Sequence, residues 1–397
     1  MTVPSSGNLP RELLALLHFL PVITGSATPQ GTARYRDRFR PLSEADFFRR
    51  PENVPGASEL WLSSIGLGTY LGEPDDASDR EYIAAISRAL AAGVNVLDSA
   101  INYRHQRSER NIGAALEQTT QQNIVQRDEV LVCTKAGYLS FDGNLPADPR
   151  EYFLREYIES GIIDPKELVG GMHCVSPGYL RDQIERSHNN FGVQTIDLFY
   201  LHNPETQLAE ISPELFHDRV KRAFALLEGL VKEKKLQFYG LATWNAFRVP
   251  EGARDYISLS EMVRIAHDIA GEGHHFRFIQ LPFNLAMPEA FVLANQVVGK
   301  KNMSVLEAAA RLGIAVVGSA TLYQGRLAHG LPAFVGEALG MKTDSENAIQ
   351  FSRSAPGMTT SLIGMGQPEH VTANLKPSLL PPARIEDWKK LFTTRER

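Results

Sequence analysis

Cysteine is scarce. Two residues, Cys133 and Cys174, stand in 397, too few for a disulfide framework, so a reducing, cytoplasmic setting is the default. Cys133 lies in the apolar run "VLVCTK" and reads as a small core residue. An excess of one charge is also lacking: 41 Lys and Arg face 46 Asp and Glu, a formal net charge of −5. That argues against a nucleic-acid partner held by a basic surface. No apolar run reaches bilayer length, so no membrane partner is expected. The segment "RELLALLHFLPVITGSA", residues 11 to 27, loosely resembles a secretory leader, but Glu12, His18 and Pro21 break it. A short amphipathic helix packed on the body is the preferred reading. Metal-ligand spacing is missing too. His173 in "GGMHCVSP" has no second ligand at a suitable distance, and the pair His274 and His275 in "GEGHHFRF" reads as a solvated turn. Finally, no G-x-G-x-x-G is present. Gly66, Gly68 and Gly72 are spaced G-x-G-x-x-x-G before an acidic, Pro-containing turn, which reads as close packing at a barrel mouth rather than a phosphate cradle.

What is present is a rhythm. Residues 1 to 60, with frequent Pro, Gly, Ser and Arg, read as an N-terminal extension. From residue 61 to 397, short apolar runs alternate with helical stretches. The runs are "SSIGLGTY", "GVNVLDSA", "EVLVCTKAG", "TIDLFYLHN", "LQFYGLAT", "FRFIQLPFN", "GIAVVGSA" and "TTSLIGM". Helical segments such as "SPGYLRDQIERSHNNFG" and "SVLEAAARLG" open on a Ser cap and close on Gly. Strands that are apolar throughout imply a parallel sheet covered on both faces. Eight such units in one domain's length favour an α/β fold of the (β/α)8 barrel type over a doubly wound sheet, here with an N-terminal extension and a C-terminal helix.

In such a barrel the active site lies at the C-terminal strand ends. Asp98 ends the second candidate strand and Tyr103 follows in its loop. Lys135 stands at the tip of the third and His202 at the tip of the fourth. A lone ionisable residue at a strand end is usually structural; four at three successive ends imply a purpose. Lys135 beside Tyr103 favours phenolate and so lowers the phenol's pKa, while Asp98 keeps the ammonium charged. A tyrosine tuned in this way can pass a proton to a developing alkoxide. A neutral His202 can orient a carbonyl oxygen. The chemistry is carbonyl polarisation and protonation, with a hydride delivered by another agent.

The stretch "LDSAINYRHQRSERNIGAAL" resembles the aldo-keto reductase signature D-T-A-x-x-Y-G-x-x-x-S-E-x-x-L-G-x-A-L. "LVCTKAG" and "IDLFYLHNPE" are similar to that family's third and fourth strands, and the likeness runs from about residue 62 to about 376. It implies that Asp98, Tyr103, Lys135 and His202 form the catalytic tetrad. Tyr103 would be the general acid, and a nicotinamide cofactor extended across the barrel mouth would be the hydride source. "FIQLPFNL" points to Gln280 at the carboxamide. "GSATLYQGRL" resembles S-P-L-x-x-G-x-L and points to Ser319, Leu322 and Gly325 at the pyrophosphate. Asn374 matches the adenine-contacting Asn.

Departures from the family pattern matter as much. The fifth-strand Ser-Asn pair is replaced by Ala242 and Thr243, and the loop proline by Ala320. The basic clamp on the 2′-phosphate is replaced by Gly364 and His370, with Arg353 or Arg326 as possible substitutes. NADP (NADPH) is the family's usual cofactor and is expected ahead of NAD. The glycine after the tyrosine is replaced by Arg104, which is expected at the rim of the site and would suit an acidic or heavily hydroxylated substrate. Ser108 and Glu109 read as the cap and first turn of the following helix. The long loop from 138 to 176 reads as a self-packed lid, with Tyr138 reaching the pocket together with Trp244. The expected partner is a small carbonyl or alcohol. A non-catalytic, cofactor-sensing subunit on the same fold is the alternative, and a Schiff base at Lys135 is a third reading, disfavoured by Asp98.

Overall fold

The computed structural model describes residues 22–393, so most of the expected amphipathic helix lies outside the described residues. Eight parallel strands close into a barrel: β1 (Ile65–Gly68), β2 (Val96–Asp98), β3 (Leu131–Ala136), β4 (Ile196–His202), β5 (Leu236–Ala242), β6 (Phe276–Pro282), β7 (Ala315–Ser319) and β8 (Met358–Gly364), with β8 pairing back onto β1. The helices that follow them in turn are α1 (Asp76–Ala91), α2 (Arg107–Gln121), α3 (Pro177–Phe191), α4 (Pro213–Lys232), α5 (Leu259–Ala270), α6 (Val305–Leu312), α7 (Asp344–Arg353) and α8 (Pro368–Asn374). Local chemistry explains their limits. Ser304 and Glu307 form a reciprocal capping box at the start of α6, and Gly313 ends it at φ 67°. Pro213 opens α4 after Ser212, whose Oγ accepts from Leu215 N. A short C-terminal helix, Ile385–Lys389, buries Trp388 against Phe351 and Phe291.

Strand side chains alternate between the barrel interior and the helical layer. The interior set runs through Val96 on β2, Cys133 on β3, Tyr200 on β4, Phe238 on β5, Phe278 on β6 and Val317 on β7. Two residues further along five of these strands come Asp98, Lys135, His202, Gln280 and Ser319, the last inward positions before the loops; on β5 that position is Ala242, four residues beyond Phe238. The period of two therefore places the polar residues on the interior axis and at one end of it. At the other end, residues of the N-terminal segment close the barrel. Ala27, Val54, Ala57, Leu60 and Leu62 join the interior cluster. This segment is tied on by Ala27 N donating to Asp197 Oδ1 (2.6 Å), and Asp197 is itself paired with Arg127 (2.6 Å).

Two expectations need correcting, while Glu109 does stand in the first turn of α2. His274 is buried and its imidazole is pushed down to about 4 by burial, while His275 Nδ1 lies 2.8 Å from Glu228; the pair is part of the packing, not a solvated turn. Gln106, in a left-handed conformation, is the cap of α2, and Ser108 Oγ instead donates to Thr69 O (2.8 Å). Glu109 is fully buried and accepts from Thr134, Ser187 and Asn190, joining α2 to β3 and α3. The lid reading of the 138–176 loop agrees with an aromatic cluster in which Phe141 stacks on Phe153 (4.5 Å) and Tyr157 donates to Ser140 O (2.7 Å).

Candidate active site

A cavity of about 540 Å3 opens at the C-terminal strand ends, within the range of small-molecule sites. Asp98, Tyr103 and His202 line it. Lys135 lies beneath, its Nζ donating to Asp98 Oδ1 (2.5 Å) and Ser99 O (2.6 Å) and standing 5.0 Å from the centre of the Tyr103 ring. The strand register explains this meeting. Asp98 pairs with Cys133, so Lys135 stands one inward step further along β3. Backbone bonds from Ser99 N to Cys133 O and from Ile101 N to Lys135 O carry the β2 loop along β3 and deliver Tyr103 over the ammonium. The Tyr103 and His202 rings meet edge to face at 5.8 Å.

The electrostatics follow from burial. The Asp98 and Lys135 side chains are 5% and 1% exposed. Burial alone would lower the Lys135 ammonium, but Asp98 and Tyr103 raise it above the usual lysine value, so it stays charged. Such a charged lysine is a poor Schiff-base nucleophile. His202 is held well below the usual imidazole value by burial, by Lys135 and by His173, and is neutral. Tyr103 departs from expectation. Lys135 does lower the phenol, but burial outweighs it and the net shift is upward.

The other expected residues divide. Thr243, Gln280, Ser319, Leu322, Tyr138 and Trp244 all line the cavity. Gln280 Nε2 donates to Asp98 Oδ2 (2.9 Å), so the amide also steadies the carboxylate. Gly325, at φ 85°, follows the lining residue Gln324 without lining the cavity itself. His370 and Asn374 lie on α8 and do not line it either; His370 is exposed. Arg104 is brought elsewhere. Its side chain is 1% exposed, pairs with Asp79 (2.7 Å), donates to Glu73 O (2.8 Å) and stacks on Tyr82. It does not stand at the rim. Arg104 has φ 48°, followed by His105 at 55° and Gln106 at 71°, a turn in which glycine is the unstrained residue.

Arg353 cannot serve as a phosphate clamp. It is fully buried, donates to Gln350 Oε1 and to the carbonyls of Pro377 and Leu380, and is pushed down to about 9 by burial. Arg326 is exposed and lies over the Tyr323 ring at 5.0 Å. Ala320 adopts φ 54°, which proline cannot, so this loop takes a course that the usual residue would forbid.

Sequence reasoning missed Tyr70, Leu71, Asn102, Asn203, Thr321 and Tyr323, which also line the cavity. The strand-end rule applied to "GLGTYL" would have found the first two. The Thr321 hydroxyl is buried with no partner among the described residues, an orphan that fits a bound group bringing hydrogen-bond acceptors. Among the described residues, no cluster of three or more His, Cys, Asp or Glu could hold a metal ion.

The sequence profile of the Aldo/keto reductase family matches residues 64–331, and the chain belongs to that family. It is 23% identical over 211 residues, 53% of each chain, to the uncharacterized oxidoreductase YqkF of Bacillus subtilis (strain 168). It is 24% identical over 212 residues, 52% of this chain and 55% of the other, to the NADH-specific methylglyoxal reductase of Escherichia coli (strain K12). The chain thus spans about half the length of each. The holo aldo-keto reductase AKR11C1 of Bacillus halodurans superposes with a TM-score of 0.59, covering 88% of this chain and 98% of that one at 18% identity, a likeness of fold.

Proposed function

We propose that this protein is a nicotinamide-dependent oxidoreductase that interconverts a small carbonyl compound and its alcohol, with Tyr103 as the general acid. One observation carries the reading: a buried Lys135–Asp98 ion pair lies under the Tyr103 ring, with neutral His202 at its edge. The Tyr103 hydroxyl gives its proton to the carbonyl oxygen as negative charge develops there, and Lys135 stabilises the phenolate left behind. His202 orients the oxygen through a neutral ring nitrogen, and Asp98 keeps Lys135 charged and in place. A bound nicotinamide supplies the hydride for reduction or takes it up in oxidation. Thr243 and Gln280 are proposed to hold its carboxamide end. Ser319, Leu322 and Gly325 would hold the pyrophosphate, and α8 with His370 and Asn374 the adenosine.

NADP is the family's usual choice, but a relative named NADH-specific and the lack of a basic clamp at Gly364 and His370 support acceptance of NADH as well. Among the described residues, no helix is long and apolar enough to cross a membrane, and a cytoplasmic location rests on the cysteine usage. The test is Tyr103→Phe assayed with 4-nitrobenzaldehyde and NADPH or NADH. Turnover is expected to fall at least about 100-fold, while cofactor quenching of tryptophan fluorescence persists. Unchanged turnover would exclude Tyr103 as the acid.

A further inference from the structure

His173, in the loop between β3 and α3, is fully buried and has no place in the chemistry above. Its surroundings tie it to His202. The β3–β4 ladder ends at the pair Ala136 and Leu201. One residue on, His202 O accepts from His173 Nε2 (2.8 Å), so an imidazole takes over where the next backbone donor would have stood. Space for this contact depends on Gly137, where a Cβ would come within 2.4 Å of His202 O and 2.8 Å of His173 Nε2.

The tautomer is fixed from behind. Arg219 on α4 donates to Gln207 Oε1 (2.5 Å) and to the carbonyls of Lys166 (2.7 Å) and Glu167 (3.0 Å). Gln207 Nε2 therefore faces His173 Nδ1 (2.7 Å), which accepts and leaves the proton on Nε2. The His173 ring also meets Tyr138 edge to face at 4.9 Å, and Tyr138 meets His202 in the same way at 5.4 Å. His202 is thus met at its carbonyl by His173 and at its ring by Tyr138, which itself packs on His173. On its other side, Asn203 leaves the strand at φ 44° with its N–H on Ala242 O (2.6 Å).

We propose that His173 is a positioning residue, which through the chain Arg219–Gln207–His173 sets the orientation of the His202 imidazole at the carbonyl-binding point. The proposal rests on the role given to His202 above. Small misplacements of an orienting group are costly because only the aligned geometry is productive.

The variants are His173→Leu, which removes the donor, His173→Gln, which restores an N–H near the Nε2 position, and Gln207→Leu, which frees the tautomer while leaving the ring. With 4-nitrobenzaldehyde and saturating cofactor, His173→Leu is expected to lower kcat about tenfold with the cofactor Kd unchanged, and His173→Gln to recover most of it. A second readout needs no turnover. In 15N-histidine-labelled protein, the His202 imidazole resonances, assigned by their loss in His202→Gln, should shift in His173→Leu and Gln207→Leu and return in His173→Gln. Unmoved His202 resonances in both Leu variants would overturn the proposal, as would wild-type kcat in a folded His173→Leu beside an impaired His202→Gln. If His173→Leu fails to fold, Gln207→Leu decides by the same two readings. Shifted resonances in an enzyme with no turnover would sink the catalytic reading and leave the coupling standing.

Discussion

Replacing Lys135 with Met separates its two roles. Asp98 would lose the ammonium 2.5 Å away and keep only Gln280 Nε2 at 2.9 Å, in a position where 5% of its side chain is exposed. A buried charge stranded in this way destabilises by about 3–5 kcal/mol. The second role is electrostatic. Across the 5.0 Å between ammonium and Tyr103 ring, an effective dielectric constant of about 20 gives an ammonium–phenolate attraction of about 3 kcal/mol. That equals about two pKa units. Burial already raises the phenol and Lys135 opposes the rise, so removing Lys135 moves it further up. Alcohol oxidation needs the phenolate as base. Its ascending pH limb should therefore move about two units towards higher pH, and reduction at neutral pH should slow by tenfold to about 100-fold as the acid weakens. The double variant Asp98→Asn/Lys135→Met removes both charges. It should regain most of the lost stability, because no charge is left unpaired, yet stay as slow as the single variant. Urea unfolding and pH–rate profiles of the three proteins give the answer. The reasoning fails if Lys135→Met costs less than about 1 kcal/mol, or if its oxidation limb stays where the wild-type limb lies.

Arg104→Gly should relieve a left-handed strain of about 1 kcal/mol but lose the Asp79 pair and the Tyr82 stack, for a small net loss of stability. Its profile over charged and neutral aldehydes should be unaltered, and an altered profile would restore Arg104 to the site. Ala320→Pro cannot keep φ 54°, so thermal unfolding should show a loss of about 3 kcal/mol, with weaker cofactor binding by titration; no change in either would contradict the loop geometry. NADPH and NADH titrated in parallel should give Kd values within about tenfold of each other, a gap of about 1.4 kcal/mol. Arg326→Ala should narrow any preference for NADPH, and a large preference indifferent to that change would point to a clamp elsewhere.

The features that could be read from the sequence are those governed by period. Strand alternation and the rule of the C-terminal end lead to Asp98, Lys135, His202, Gln280 and Ser319, because each is the last inward residue of a strand whose apolar predecessors line the interior. Tyr103 was reachable because it follows β2 by five residues and the loop continues along β3. Residues outside the period were not reachable in the same way. The place of Arg104 next to Tyr103 implies the rim, yet a backbone at φ 48° aims it at Asp79. A side chain's direction beyond a strand end depends on loop dihedrals that composition does not disclose. His173 has no second ligand at metal spacing, a criterion that bears only on metals. Its partners are a backbone carbonyl and an amide from two other loops, and neither leaves a spacing in the sequence. The direction of the Tyr103 shift is hidden from the sequence for a related reason. The pairing with Lys135 could be inferred from strand ends, but the opposing cost is burial by Tyr70 and the rest of the cavity wall, which exists only once the loops are in place. Pairwise chemistry at a barrel mouth is thus set by the strand ends, while its magnitude, and in the case of Tyr103 its sign, depends on the loops.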